Sequence, residues 1–181
     1  AIGGGVLSVW GMEGEVTVDG LDTRGATGRA PSGGCIHATS SSAFTVRDWD
    51  GRGGLCEATG GGGGGVHGED ITTLTLLQME LGEATSTGDG GAVLVSGGST
   101  RGVVLTGVSA TTGSSGGAGG FVSVGLPSSA ISQAVSMSAT NLTLGSGVAV
   151  GNGGCVHVEN VASTNVTSLE ASNCNSSTGK G

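Results

Sequence analysis

The sequence predicts an all-β protein: a single-stranded parallel β-helix, a solenoid of about six coils with glycine-rich corners. Three observations predict it. A doubled glycine followed by a short apolar strand returns six times along 181 residues. Within each return the apolar residues alternate with period two, as they do on a strand with one buried face. The composition carries 41 glycines, only 2% aromatic residues, two prolines and no tyrosine, with no three-residue glycine period that would suggest collagen. Such an inventory can bury a thin core of Val, Leu, Ile, Ala and Met, which suits a narrow stack better than a sphere.

The repeated word is plainest at Gly153-Gly154-Cys155-Val156-His157-Val158 and Gly33-Gly34-Cys35-Ile36-His37-Ala38. Further copies stand at Gly4-Gly5-Val6-Leu7-Ser8-Val9, Gly63-Gly64-Gly65-Val66-His67, Gly90-Gly91-Ala92-Val93-Leu94-Val95 and Gly119-Gly120-Phe121-Val122-Ser123-Val124. The residues after the pairs are spaced by 29, 30, 27, 29 and 34 positions, the mark of a repeat architecture. The second and fourth positions after the glycines are apolar and read as the inner face. The third, occupied by Ser8, His37, His67, Leu94, Ser123 and His157, reads as the outer face.

A second strand of the form apolar–Thr–apolar follows about ten residues later. It reads at Val16-Thr17-Val18, Phe44-Thr45-Val46, Leu74-Thr75-Leu76, Val103-Val104-Leu105, Val135-Ser136-Met137 and Val166-Thr167-Ser168. A third short strand includes Met79-Glu80-Leu81, Val108-Ser109-Ala110 and Leu169-Glu170-Ala171, and Gly/Ser/Thr-rich stretches close each repeat. Glycine supplies the positive φ that tight corners need. The reading gives one domain over residues 1–181, complete or a segment of a longer β-helix. Gly179-Lys180-Gly181 stops where another glycine pair is due, and Ala1-Ile2 reads as strand residues after such a pair, so end-to-end self-association is expected.

Four cysteines fall into two similar pairs, Cys35 with Cys56 and Cys155 with Cys174, each beginning at the same place in its repeat. The duplication points to two local disulfides and an oxidising, extracellular location, with buried free thiols as the alternative. Asn141, Asn165 and Asn175 stand in Asn-X-Ser/Thr sequons, which agrees with secretion and covalent glycans.

Charge excludes some partners. The net charge is −8, and no basic cluster offers footing for nucleic acid. No apolar run is long enough for a transmembrane helix.

The Gly-Gly-Ala-Val (90–93), Gly-Gly-Cys-Ile (33–36) and Gly-Gly-Cys-Val (153–156) words resemble the Gly-Gly-Ala-[Ile/Leu/Val] repeats of chlamydial polymorphic membrane proteins and related surface β-helices. The resemblance implies a right-handed parallel β-helix at a cell surface with an adhesive role. That family's Phe-x-x-Asn word is absent, with Leu169-Glu170-Ala171-Ser172-Asn173 a loose analogue.

Candidate chemistry is sparse. His37 and His67 hold the same strand position in adjacent repeats and could stack as a surface metal or pH-sensitive pair, against two idle exposed histidines. Asp48-Trp49-Asp50-Gly51 has the alternating oxygens of a calcium loop, against a solvated acidic turn. Val66-His67-Gly68-Glu69-Asp70 is the nearest approach to the motifs of pectinase-like β-helices, without a partner carboxylate pair. The threonine column Thr17, Thr45, Thr75, Ser136 and Thr167, interrupted by Val104, resembles the hydroxyl ladders of antifreeze β-helices and raises an ice-binding reading, against ordinary strand-facing threonine. The function expected is a non-catalytic structural or adhesive glycoprotein of an extracellular filament, coat or appendage, with no resident cofactor. The alternatives are an ice- or glycan-binding module and a polysaccharide lyase or hydrolase.

Overall fold

A computed structural model describes residues 5–128 and 134–179. Ala1, Ile2, Gly4, Lys180 and Gly181, on which parts of the repeat and end-stacking readings fall, lie outside the described residues. The chain winds as an all-β parallel solenoid of about six coils, with no helix among the described residues. Two sheets run along its axis. Sheet A stacks six four-residue strands: β1 (Leu7–Trp10), β4 (Ile36–Thr39), β6 (Val66–Glu69), β8 (Val93–Ser96), β10 (Val122–Gly125) and β12 (Val156–Glu159). Sheet B stacks β2 (Glu15–Asp19), β5 (Ala43–Ala58), β7 (Thr73–Ser86), β9 (Gly102–Ser115), β11 (Ser136–Ala149) and β13 (Ser163–Ser176), with β3 (Thr27–Ala30) pairing the second half of β5.

The second and third strands expected in each repeat are one long strand in coils two to six. They join because the bend between them is made by a single left-handed residue: Asp48, Gln78, Gly107, Asn141 or Ser168, each with φ between 50° and 63°. One αL residue turns the chain without breaking the ladder on either side. Four of these five are not glycine, so the expectation that glycine forms the corners holds only in part. Asp and Asn tolerate αL through local hydrogen bonding of their short polar side chains.

The doubled glycine sits at the vertex where a coil closes, and its two members do different work. The first, at Gly33, Gly63, Gly90, Gly119 and Gly153, is left-handed, with φ of 57° to 70°. The second has no room for a side chain. A Cβ on Gly34, Gly64, Gly91 or Gly120 would lie 2.1–2.4 Å from the carbonyl oxygen of the second glycine in the following coil. Its other flank faces the long strand of its own coil, where Gly120 would meet Val148 N at 2.7 Å.

Inward columns form the core. Ile36, Val66, Val93 and Val122 stack in sheet A, and Phe44, Leu74, Val103 and Met137 in sheet B, all nearly inaccessible. Trp49 is buried too, its indole N–H donating to Thr23 Oγ1 at 2.8 Å. Beside the closing vertex, facing positions are matched in size. Coil two pairs Cys35 with Cys56 and coil six pairs Cys155 with Cys174, as disulfides with Cα separations of 5.2 and 5.1 Å. In coil five the same place holds Phe121, whose ring fills the space left by Gly113 and Gly147.

The register corrects one expectation. The middle outward column of sheet B is Thr17, Thr45, Thr75, Val104, Ser138 and Asn165, so Ser136 and Thr167 each belong to a neighbouring column. A slip of two residues keeps every side chain on its own face, so alternation alone cannot exclude it. Coil five also carries the longest interval of the repeat, its extra length lying between β10 and β11.

The vertex geometry has a direct consequence. Gly120→Ala places a methyl 2.1 Å from Gly154 O and should cost roughly 3 kcal/mol or more. Gly125→Ala meets nothing within 4 Å and should leave stability nearly unchanged. Urea denaturation of the two variants beside the parent checks the contrast.

Candidate functional site

The outward column of sheet A gathers the three histidines of the chain. Strand pairing sets Ser8, His37, His67, Leu94, Ser123 and His157 in one line. The His37 and His67 rings stack with centroids 5.0 Å apart and planes inclined by 20°. The expected stack is therefore present, but it is not on an exposed surface. His37 is 5% and His67 8% accessible.

The cover is the glycine turn itself. The left-handed first glycine curls the chain back over the outward residue four positions later, so that a Cβ on Gly63 would lie 2.9 Å from His67 Cβ. The run from Gly60 to Gly65 extends the cover. A Cβ on Gly62 would strike Leu94 Cδ2 at 2.3 Å, and Gly61 lies against Pro31 and Ser32.

Under this cover His67 is held on both ring nitrogens. Nδ1 meets the Ser32 hydroxyl and Nε2 the Ser96 hydroxyl at 2.9 Å, linking a turn one coil below to the strand one coil above. Burial, and then the neighbouring His37, push the His67 pKa down to about 4, so the ring is neutral near pH 7. A neutral imidazole offers one donor and one acceptor, which the two serine hydroxyls can satisfy. Glu69 is exposed and approaches His37 Nε2 at 3.8 Å, an arrangement that Glu159 and His157 repeat at 3.6 Å.

The acidic turn is committed elsewhere. Asp50 receives Arg52 at 2.7 Å and Arg24 at 3.6 Å; Arg24 also holds Asp22 at 2.7 Å, and Arg52 reaches Glu80 at 3.0 Å. The result is an alternating ladder up the outside of coils one to three. Arg24 holds the Asp22 carboxyl down at about 2, and Arg52 chiefly lowers that of Asp50. Asp48 is the left-handed corner residue, and Trp49 between the two aspartates points into the core. Asp50 thus meets guanidinium groups where a calcium loop would set further oxygens. Among the described residues, no three His, Cys, Asp or Glu side chains converge as a metal would require.

The His67–Glu69–Asp70 segment is likewise dispersed. Asp70 stands at the next corner with φ 53°, its carboxylate accepting the Ser99 amide at 3.1 Å, at the rim of a shallow depression of about 370 Å³ lined by Ser41, Ser42, Thr72 and Glu13. His67 lies under its turn and Glu69 faces His37. Of the aromatic residues, Trp49, Phe44 and Phe121 are in the core and Trp10 is 79% exposed. The sequon residues Asn141, Asn165 and Asn175 are all exposed. No helix among the described residues is long and apolar enough to cross a membrane. Ser32 and Ser96, which grip His67, carry no local sequence signal; only the stacking of coils brings them to it.

No family of known proteins, no curated protein and no solved structure matches this chain.

The buried neutral histidine sets a pH dependence. With a folded-state pKa near 4 against 6.5 when unfolded, the unfolded chain binds the extra proton between these values. Stability is therefore fully present above about pH 6.5 and falls as pH drops toward 4, by on the order of 3 kcal/mol. His67→Gln keeps a donor and an acceptor but does not titrate. Urea melts at pH 7 and 4.5 should show the parent losing more stability than the variant; equal losses contradict the assignment.

Proposed function

We propose that the chain is a non-catalytic structural subunit or segment of an extracellular coat, filament or appendage, in which further coils, of the same chain or of another copy, stack end to end on those described. The observation that carries this reading is the state of the terminal described coils. The inward columns run on into the first and last described coils, over which no further described coil lies. Val166 and Leu169 continue the buried columns of Ala139 and Leu142 yet are 42% and 44% exposed. At the opposite end Val6, Trp10 and Met12 are exposed beside the free edges of β1 and β2. Such edges present unpaired backbone donors and acceptors in the same parallel sense, a template for another coil. Contact of one end with the other is heterologous, and repeated without closure it gives a filament.

Three further features support the reading. The disulfides close coils two and six, and such bonds persist in oxidising compartments. The three sequon asparagines project from the solenoid wall, where glycans would not obstruct stacking. His67 and Asp50 are engaged in coil-to-coil contacts, His67 in the serine clasp and Asp50 with Arg24 of the neighbouring coil. The adhesive surface role implied by the Gly-Gly-Ala-[Ile/Leu/Val] resemblance accords with such a rod.

Material secreted with its disulfides intact should sediment as concentration-dependent oligomers. Electron microscopy should show filaments with an axial spacing of about 4.8 Å. Val166→Lys with Leu169→Lys should hold the protein as a monomer with an unchanged circular dichroism spectrum. A parent that stays monomeric at the highest soluble concentration overturns the proposal.

A further inference from the structure

Sheet B carries a surface that neither the stacking ends nor the histidine clasp uses. In coils three to five the first halves of β7, β9 and β11 pair residue for residue, Thr73–Leu77 with 102–106 and 136–140, without a shift. Their outward positions form a grid with hydroxyls at Thr73, Thr75, Thr106, Ser136, Ser138 and Thr140, which ends at β11, because the next row carries the sequon residue Asn165. Leu77 and Val104 add apolar groups to it, and every one of these residues is at least partly accessible. Rows stand about 4.8 Å apart and columns about 6.8 Å apart, so the array repeats in two dimensions.

Three properties of the grid define its partner. It carries no charge on a chain whose net charge is −8; the charged residues of the same columns, Glu15, Asp19 and Arg47, are confined to coils one and two. A charged partner would find nothing to pair with there. It carries no aromatic ring, so it lacks the platform on which the apolar face of a sugar stacks. Its regularity suits a partner that is itself periodic, a crystal face in preference to an irregular protein surface. Threonine and valine methyls restrict the freedom of first-shell water, while the adjacent hydroxyls fix that water through hydrogen bonds.

We propose that this face of β7, β9 and β11 binds the surface of ice, holding lattice-ordered water on its rows of hydroxyls and methyls. The proposal is independent of end-to-end assembly, since the grid lies on the wall of the solenoid and a monomer presents it as fully as a filament.

The test is partition of the disulfide-intact protein into a slowly grown ice front, with ice recrystallisation followed in parallel. The parent should be enriched in the ice fraction and arrest recrystallisation. Thr106→Lys combined with Ser138→Lys, in the middle of the grid, should lose both effects. Thr112→Lys, on the other half of β9, should retain them, and circular dichroism and melting should show all three proteins folded. Exclusion of the parent from ice overturns the proposal, and so does undiminished partition of the double variant. Retention on microcrystalline cellulose or chitin without enrichment in ice also overturns it and assigns the grid to a polysaccharide.

Discussion

The structure depends on one close approach: the carbonyl oxygen of each coil's second vertex glycine occupies the space a Cβ would need on the corresponding glycine one coil earlier. From Gly5 through Gly34, Gly64, Gly91 and Gly120 this contact recurs at 2.1–2.4 Å from the ideal Cβ position. A second residue type at any of these places would push apart not a side chain but two backbones, and with them the stacking distance of the whole solenoid. The preceding glycine adds the reversal of direction. Together they turn a run of short strands into a closed coil, and the turn they make then covers the outward column of sheet A. That cover takes His37 and His67 out of water and places Ser32 over the His67 ring. Glycine at the vertex therefore determines both the pitch of the fold and the protonation state of its one deeply perturbed histidine.

Packing beside the vertex adapts to what each coil contributes. Disulfides fill it in coils two and six, and an aromatic ring set against two glycines fills it in coil five. Gly65 with Ala84, and Ala92 with Gly113, serve coils three and four, whose neighbours on both sides already exclude water. The exposed charges follow a similar logic of stacking. Each arginine of the Asp22–Arg24–Asp50–Arg52–Glu80 ladder joins a carboxylate of its own coil to one in an adjacent coil. Pairs this exposed contribute little individually, so the ladder orders the surface more than it stabilises it.

Much of this was legible in the amino-acid order because the repeat carries backbone requirements as residue identities. The glycine pairs, the inward Leu7/Val9 and Val93/Val95 type columns, and the two cysteine pairs can all be read before any coordinate is known. Other features could not be, for definable reasons. Alternation fixes which face a residue takes but not its register to within two positions, and so Ser136 and Thr167 were expected in a column that belongs to Ser138 and Asn165. Strand period shows that His67 points outward, yet not that a turn folds over it. The bends at Asp48, Gln78, Asn141 and Ser168 use residues that also occur in ordinary strands, which concealed the union of two expected strands into one. The clasp of His67 joins residues 32, 67 and 96, a relation that exists only after stacking.

The described coils present a neutral hydroxyl face, and among their residues no three His, Cys, Asp or Glu side chains converge as a metal would require. Both proposals rest on the stacking register, which a cross-link reads directly. Val104 and Ser138 are lateral partners in adjacent coils, within reach of a disulfide once both are cysteine, whereas Ser136 lies two residues further along the strand. The account predicts that the Val104→Cys, Ser138→Cys protein oxidises to a single intramolecular bond, found by peptide mapping, and that the Val104→Cys, Ser136→Cys protein does not. Cross-linking of the second pair in place of the first would contradict the register, and with it the grid and the column continuity on which the functional reading stands.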